Sequence, residues 1–178
     1  FAQALLERAK ALSKDPSGET VILVAHGAGD DPGNDHWRRL LASLTEQMRA
    51  NGGANFRAIQ SGTWREDWPD KREPEVAAIR KLVADASRDG GRAIVIAARM
   101  QGRGDEQTLL KDLTFELGTG FAPHPLFARW FEEKIQEGIV ALRAGQTPAG
   151  ALAPEICGSD SVSSVPTMTA RSAASRQP

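Results

Sequence analysis

Two short runs carry apolar side chains almost without interruption, residues 20–25 (TVILVA) and residues 93–98 (AIVIAA). A strand with one wet face alternates apolar and polar positions, so continuous runs of this length fit strands covered on both faces. Residues 55–61 read as a weaker strand between them, and 113–117 (LTFEL) alternates as an edge strand does. Between the runs the period changes from two to that of a helix. Trp37, Leu40, Leu41, Leu44 and Met48 form one stripe, stopped by Asn51, Gly52 and Gly53. Val76, Ile79, Leu82, Val83 and Ala86 form a second, with Pro74 near its start, where a first-turn N–H has no helical partner. A third consists of Phe127, Trp130, Phe131, Ile135, Ile139 and Leu142, with Pro125 at its first turn. A short helix is expected over 106–111, with Asp105 as its cap.

The order β-α-β-α-β-(short helix)-β-α with right-handed crossovers predicts a flavodoxin-like, doubly wound α/β fold. Its four-stranded, mostly parallel sheet has helices on both faces and an expected strand order of 2-1-3-4. The domain is expected over 20–143. A helix over 1–13 precedes the first strand with nothing before it to pack on, so residues 1–19 read as a connecting helix and linker from an upstream domain. Residues 144–178 lack aromatics and are dominated by Ser, Ala, Pro, Gly and Thr, a composition that buries too little to offset the entropy of ordering. They read as a flexible tail, which holds the single cysteine, Cys157.

Composition narrows the picture further. The 178 residues carry 22 Lys+Arg against 23 Asp+Glu, without the global basic footprint of a protein that coats nucleic acid. One cysteine excludes an internal disulfide framework and a multi-cysteine zinc site. No apolar run approaches the roughly 20 residues of a membrane span. The chain opens at Phe1 without Met or a signal-peptide pattern, which reads as a cleaved or missing start and leaves the compartment open.

In open parallel sheets, ligands bind outside the carboxyl ends of the strands. Four loops are selected by that rule: 26–34, 62–73, 99–105 and 118–124. His26 follows the first buried strand directly, in Val24-Ala25-His26-Gly27-Ala28-Gly29-Asp30-Asp31. A neutral imidazole there can bind a metal or accept a proton, or it can be hydrogen-bonded within a tight turn. The glycines do not complete a dinucleotide fingerprint, because Gly33 falls one place late and no acid directly follows the second strand. No nucleotide cofactor is therefore expected. A strand ending in His-Gly also occurs in α/β-hydrolases, but the Gly-x-Ser-x-Gly elbow is absent. The second loop carries Trp64, Arg65, Glu66, Asp67 and Trp68. It reads either as a solvated loop or as an aromatic wall beside cations suited to a large anionic ring. Arg99 and Arg103, on the third loop, would point into the same crevice. His124, between Pro123 and Pro125, reads as a helix-entry residue, and His36 as solvent-facing.

Together these residues resemble the class II tetrapyrrole chelatases, specifically the sirohydrochlorin cobaltochelatase and ferrochelatase family. The likeness spans roughly 20–143. It rests on Val21-Ile22-Leu23-Val24-Ala25-His26-Gly27, the βα alternation, and Gly120-Phe121-Ala122-Pro123-His124-Pro125-Leu126 opening the final helix. It implies insertion of divalent Co, Fe or Ni into a polycarboxylated macrocycle. His26 would be metal ligand and base. Arg65, Arg99 and Arg103 would pair with ring carboxylates, and Trp64 or Trp68 would face the ring plane. It also implies a second chelatase-like domain, upstream or in a homodimer. The chain departs from the family at two places. The loop after the third strand, Arg99-Met100-Gln101-Gly102-Arg103, has no second histidine, and Ala58-Ile59-Gln60-Ser61 holds no acid. Glu66 then stands as substitute second metal ligand. The alternative is a relative that binds a tetrapyrrole or metal without turnover.

Overall fold

The computed structural model describes residues 1–100 and 104–145. Four strands, β1 (Glu19–Ala25), β2 (Ala58–Thr63), β3 (Arg92–Ala97) and β4 (Glu116–Gly118), form one sheet in the order β2-β1-β3-β4. Every pairing is parallel. The helices are α1 (Ala2–Leu12), α2 (Asp31–Met48), α3 (Pro69–Ala86), α4 (Glu106–Leu109) and α5 (Pro125–Arg143). This is the flavodoxin-like α/β arrangement expected from the alternating periods. All seven residues of β1 are buried, as its unbroken apolar run requires of a central strand.

The two faces hold separate cores. Val21, Leu23, Ile94 and Ile96 meet Leu5, Leu6, Leu41 and Met48 from α1 and α2 on one face. Ile22, Val24 and Val95 meet Ile79 and Val83 of α3, with Trp64 and Leu110, on the other. The opening helix is thus not an orphan. Ala2, Leu5, Leu6 and Ala9 of α1 are buried against the sheet, over β3 and β4, and belong to the same core as the rest. A helix preceding the first strand can fold back onto the sheet, and periodicity gives no hint of that return.

Some boundaries move. The helix expected around Val76 begins at Pro69, so Pro74 lies inside it rather than in its first turn. The added residues are polar and exposed for the most part, which an apolar stripe cannot reveal. Consequently the loop after β2 shrinks to residues 64–68. The edge strand is three residues long, Glu116–Gly118, and Leu113 and Phe115 pack against the second core ahead of it. Asp105 makes no side-chain cap. The expected tail beyond Gly145, Cys157 included, and Arg103 lie outside the described residues. Among the described residues no helix is long and apolar enough to cross a membrane.

The amino end of the sheet is tied by a buried carboxylate. Glu19, its side chain 2% exposed, accepts from the Lys14 backbone N–H at 2.9 Å and from the Ser13 hydroxyl, and pairs with Arg92 at 2.6 Å. Arg92 reaches on to Glu116 at 2.8 Å, joining β1, β3 and β4. Burial by itself raises the Glu19 pKa, but the hydrogen bonds from Ser13, Lys14 and Arg92 outweigh it and the net shift is downward. A carboxylate whose folded pKa is lowered stabilises the fold above its unfolded pKa, and that contribution is lost as pH falls through the folded value.

Two outcomes are expected. Leu5→Ala destabilises the chain by about 2–5 kcal/mol in urea unfolding, because it opens a cavity under α1; a change within experimental error would show that α1 is dispensable to the core. Glu19→Gln costs about 2 kcal/mol at neutral pH, and its deficit against wild type shrinks as pH is lowered below about 4.

Candidate functional site

The parallel register brings together what the sequence keeps forty residues apart. Ala25 pairs with Thr63, and the ladder continues past the strands: the Trp64 N–H donates to Ala25 O at 2.9 Å and the Arg65 N–H to His26 O at 2.8 Å. The chain leaving β1 and the chain leaving β2 are therefore bonded side by side at the carboxyl edge. His26 stands there, its Nε2 2.8 Å from Asp67 Oδ2 and its Nδ1 3.3 Å from Gly27 O. The imidazole is 40% exposed and the Asp67 carboxylate 71%, so the pair is open to solvent and contributes about 1 kcal/mol at most.

Gly27 is where the turn demands glycine. Its φ is +82°, and an added Cβ would lie 2.5 Å from Asn34 Oδ1 and 2.9 Å from Thr63 Cβ. Asn34, buried at the start of α2, accepts from the Ala28 N–H at 3.4 Å and donates to Glu75 at 3.4 Å. Gly29 lets the Trp68 indole close over the loop, since a Cβ there would stand 2.4 Å from its Nε1. Trp68 meets the His26 ring edge-on, with centroids 5.1 Å apart.

The acids following His26 serve the fold. Asp30 caps α2, accepting from the Gly33 N–H at 2.7 Å. Asp31 accepts from Arg65 at 2.8 Å and from Lys71 at 3.2 Å, and these two cations hold its pKa below the usual carboxylate value. Arg65 is 4% exposed, has a left-handed φ of 50°, and also donates to Gly29 O. It is a strut between two loops, which corrects the expectation that it meets a ring carboxylate. Trp64 is corrected too: it is fully buried in the core beneath α3 and faces no ligand. Trp68 stands beside His26, and Arg99 lies close enough to Glu66 for their charges to interact.

Arg99 follows β3 and pairs with Glu106, a carboxylate with no exposed surface whose other oxygen accepts from the Gly104 N–H at 2.7 Å. Glu66 lies in the same electrostatic neighbourhood. Burial pushes its pKa up and the charges of Glu106 and Asp67 add to the rise, while Arg99 and His26 offset part of it. Its Oε2 is buried without a hydrogen-bond partner among the described residues. The same holds for Thr63 Oγ1, Trp64 Nε1 and Arg65 Nε, so four consecutive residues at the end of β2 each keep a buried, unpaired polar atom. Folded proteins leave few such atoms, and those that persist gather at functional sites.

As for the remaining histidines, His124 caps α5, its Nδ1 accepting from the Leu126 N–H at 3.2 Å, and its Nε2 sits 3.3 Å from Glu7 of α1. This is the helix-entry role expected of it. His36 is half-buried rather than solvent-facing, with Nε2 unpaired among the described residues. Among the described residues no three His, Cys, Asp or Glu side chains converge as a metal cage. Glu106 and Asn34 escaped sequence reasoning because an acid in a first turn and an amide after a glycine loop are commonplace. Asp67 was visible only as one of two adjacent acids; register alone selects it as the histidine's partner. Comparison with protein-family profiles, curated proteins and solved structures returned no match.

The raised pKa of Glu66 fixes a sign. A carboxyl group whose folded pKa lies above its unfolded one favours the fold when protonated, and that contribution is lost as pH rises through the folded value. Glu66→Gln is therefore expected to raise Tm by roughly 2 °C near pH 7, with the gain disappearing in acid, where wild-type Glu66 is itself protonated. Scanning calorimetry at both pH values reads the difference, and a lower Tm for the variant at pH 7 would remove the assignment.

Proposed function

We propose that the crevice around His26 inserts a divalent metal ion, Co²⁺, Fe²⁺ or Ni²⁺, into sirohydrochlorin or a related anionic tetrapyrrole. The observation that carries this reading is the pairing of His26 with Asp67, 2.8 Å apart, beside a half-buried Glu66 whose pKa is raised. Metal insertion releases two pyrrole protons, so it needs two proton acceptors close to one coordination point. His26 and Glu66 supply them, and both are also competent to ligate a borderline metal ion. Asp67 orients the imidazole while the site is empty of metal, and because the pair is solvent-exposed its opening costs little. Arg99, aligned by Glu106, meets a peripheral carboxylate of the ring, and Trp68 offers the aromatic face. The resemblance of Val21–Gly27 and of Gly120–Leu126 to the chelatase family supports the choice of substrate.

A second reading, a domain that binds a tetrapyrrole or a metal without turnover, is favoured by one observation. Among the described residues no three His, Cys, Asp or Glu side chains converge to hold a metal ion, so His26, Asp67 and Glu66 are not part of a closed cage. The two readings part in a single assay.

Cobalt insertion into sirohydrochlorin, followed by absorbance, is expected for wild type. The rate should fall by about 10²-fold or more in His26→Ala and in Glu66→Gln. The wild-type rate is expected to rise with pH through a midpoint above the ordinary Glu value of about 4.3, as Glu66 loses its proton. Equal rates in wild type and His26→Ala would remove His26 from the mechanism. Saturable tetrapyrrole binding without turnover would select the second reading, and neither binding nor turnover would overturn both.

A further inference from the structure

The helix α5 is nineteen residues long and none of them is buried. Its inner side rests on α1 through an aromatic cluster, with Phe1 and Trp130 centroids 4.8 Å apart and Phe127 and Trp130 5.7 Å apart. Its outer side is apolar as well. Ala128, Phe131, Ile135, Gly138 and Leu142 follow one another at steps of three and four, which sets them in a single line about 21 Å long. Phe131 is 53% exposed, Ile135 45% and Leu142 64%. Single exposed apolar residues are normal on a protein surface, but a continuous line of them marks a contact surface.

Gly138 says what kind of contact. A Cβ built on it would meet nothing within 4 Å, so nothing among the described residues requires a glycine there. In mid-helix it costs about 1 kcal/mol relative to alanine. A neighbouring side chain entering at that point would account for it.

We propose that this line is the docking surface for a second copy of the chain, with the two α5 helices antiparallel about a two-fold axis passing between Gln136 and Glu137. That register sets Ile135 into the gap left by the partner's Gly138 and Phe131 against the partner's Leu142, each contact occurring twice by symmetry. The flanking charges agree with it. Glu132 and Arg143 lie on the same border of the apolar line, and neither forms an ion pair among the described residues. In the antiparallel register, Glu132 comes within about 3 Å along the axis of the partner's Arg143. A membrane surface fits less well, because the polar side of α5 carries Glu132, Glu133 and Glu137 where an interfacial helix carries Lys and Arg.

Sedimentation equilibrium from about 1 μM to about 1 mM protein tests the assignment on the full chain. Wild type is expected to show a reversible monomer–dimer equilibrium. Ile135→Glu and Gly138→Leu each raise the dissociation constant by about tenfold or more, with the helical circular dichroism signal retained, since Ile135 is 45% exposed and a Cβ on Gly138 meets no atom of the described residues within 4 Å. Glu132→Arg weakens the dimer, and adding Arg143→Glu restores it. A wild type that stays monomeric throughout would overturn the proposal and leave the face to a different partner. A dimer indifferent to all four substitutions would overturn it equally.

Discussion

Strand β1 is covered on both faces and paired on both edges, and the rest of the molecule is arranged around that enclosure. Its side chains have no exposure to give up, and its backbone groups are bonded to β2 on one side and β3 on the other. The chain leaving it at Ala25 can emerge only at the carboxyl edge of the sheet, between two neighbouring strand ends. Parallel pairing then decides what it meets there, because all the strands point the same way and all their exits share one edge. The bonds from Trp64 and Arg65 back to Ala25 and His26 extend the ladder into the loops and hold His26 beside Glu66 and Asp67.

Charge follows the same logic. The near-zero net charge conceals acids after β1 and cations after β2, and a one-dimensional reading sees two opposite patches waiting for a ligand. In three dimensions much of that charge is engaged internally. Arg65 and Lys71 bind Asp31, Asp30 caps α2, and Arg99 binds Glu106. What remains outside these pairings is smaller and better defined: an exposed His–Asp pair and a half-buried carboxyl group held above its usual pKa. The unpaired polar atoms from Thr63 to Glu66 show that local satisfaction has been given up just where these groups stand.

The position of α1 has consequences at the other end of the chain. By lying over β3 and β4 it occupies sheet surface that a final helix would otherwise cover. Helix α5 is left to rest on α1, held at its entry by His124 between the Leu126 N–H and Glu7. An amphipathic helix displaced in this way keeps apolar surface on its outside.

The fold was largely legible in the sequence. Two uninterrupted apolar runs could only be enclosed strands, the change of period located α2, α3 and α5, and the alternation of strands with helices implied the parallel sheet and its order. His26 was legible as well, since a histidine directly after an enclosed strand has to stand at the carboxyl edge. Local pattern could not show where α1 packs, because Leu5, Leu6 and Ala9 form the same stripe whether they meet this sheet or another surface. Nor could it distinguish Trp64, buried under α3, from Trp68, four residues later at the crevice, or show that Arg65 turns inward while Arg99 does not. Those choices depend on register and on the side of the sheet to which each residue is delivered, and both quantities exist only once strands distant in sequence have paired. The sequence by itself determined which segments become strands and helices and which edge of the sheet gathers the loops with His26, Glu66 and Arg99; the tertiary structure decided which of the charged and aromatic residues at that edge are consumed by the fold and which are left outside it, because register exists only once distant strands pair.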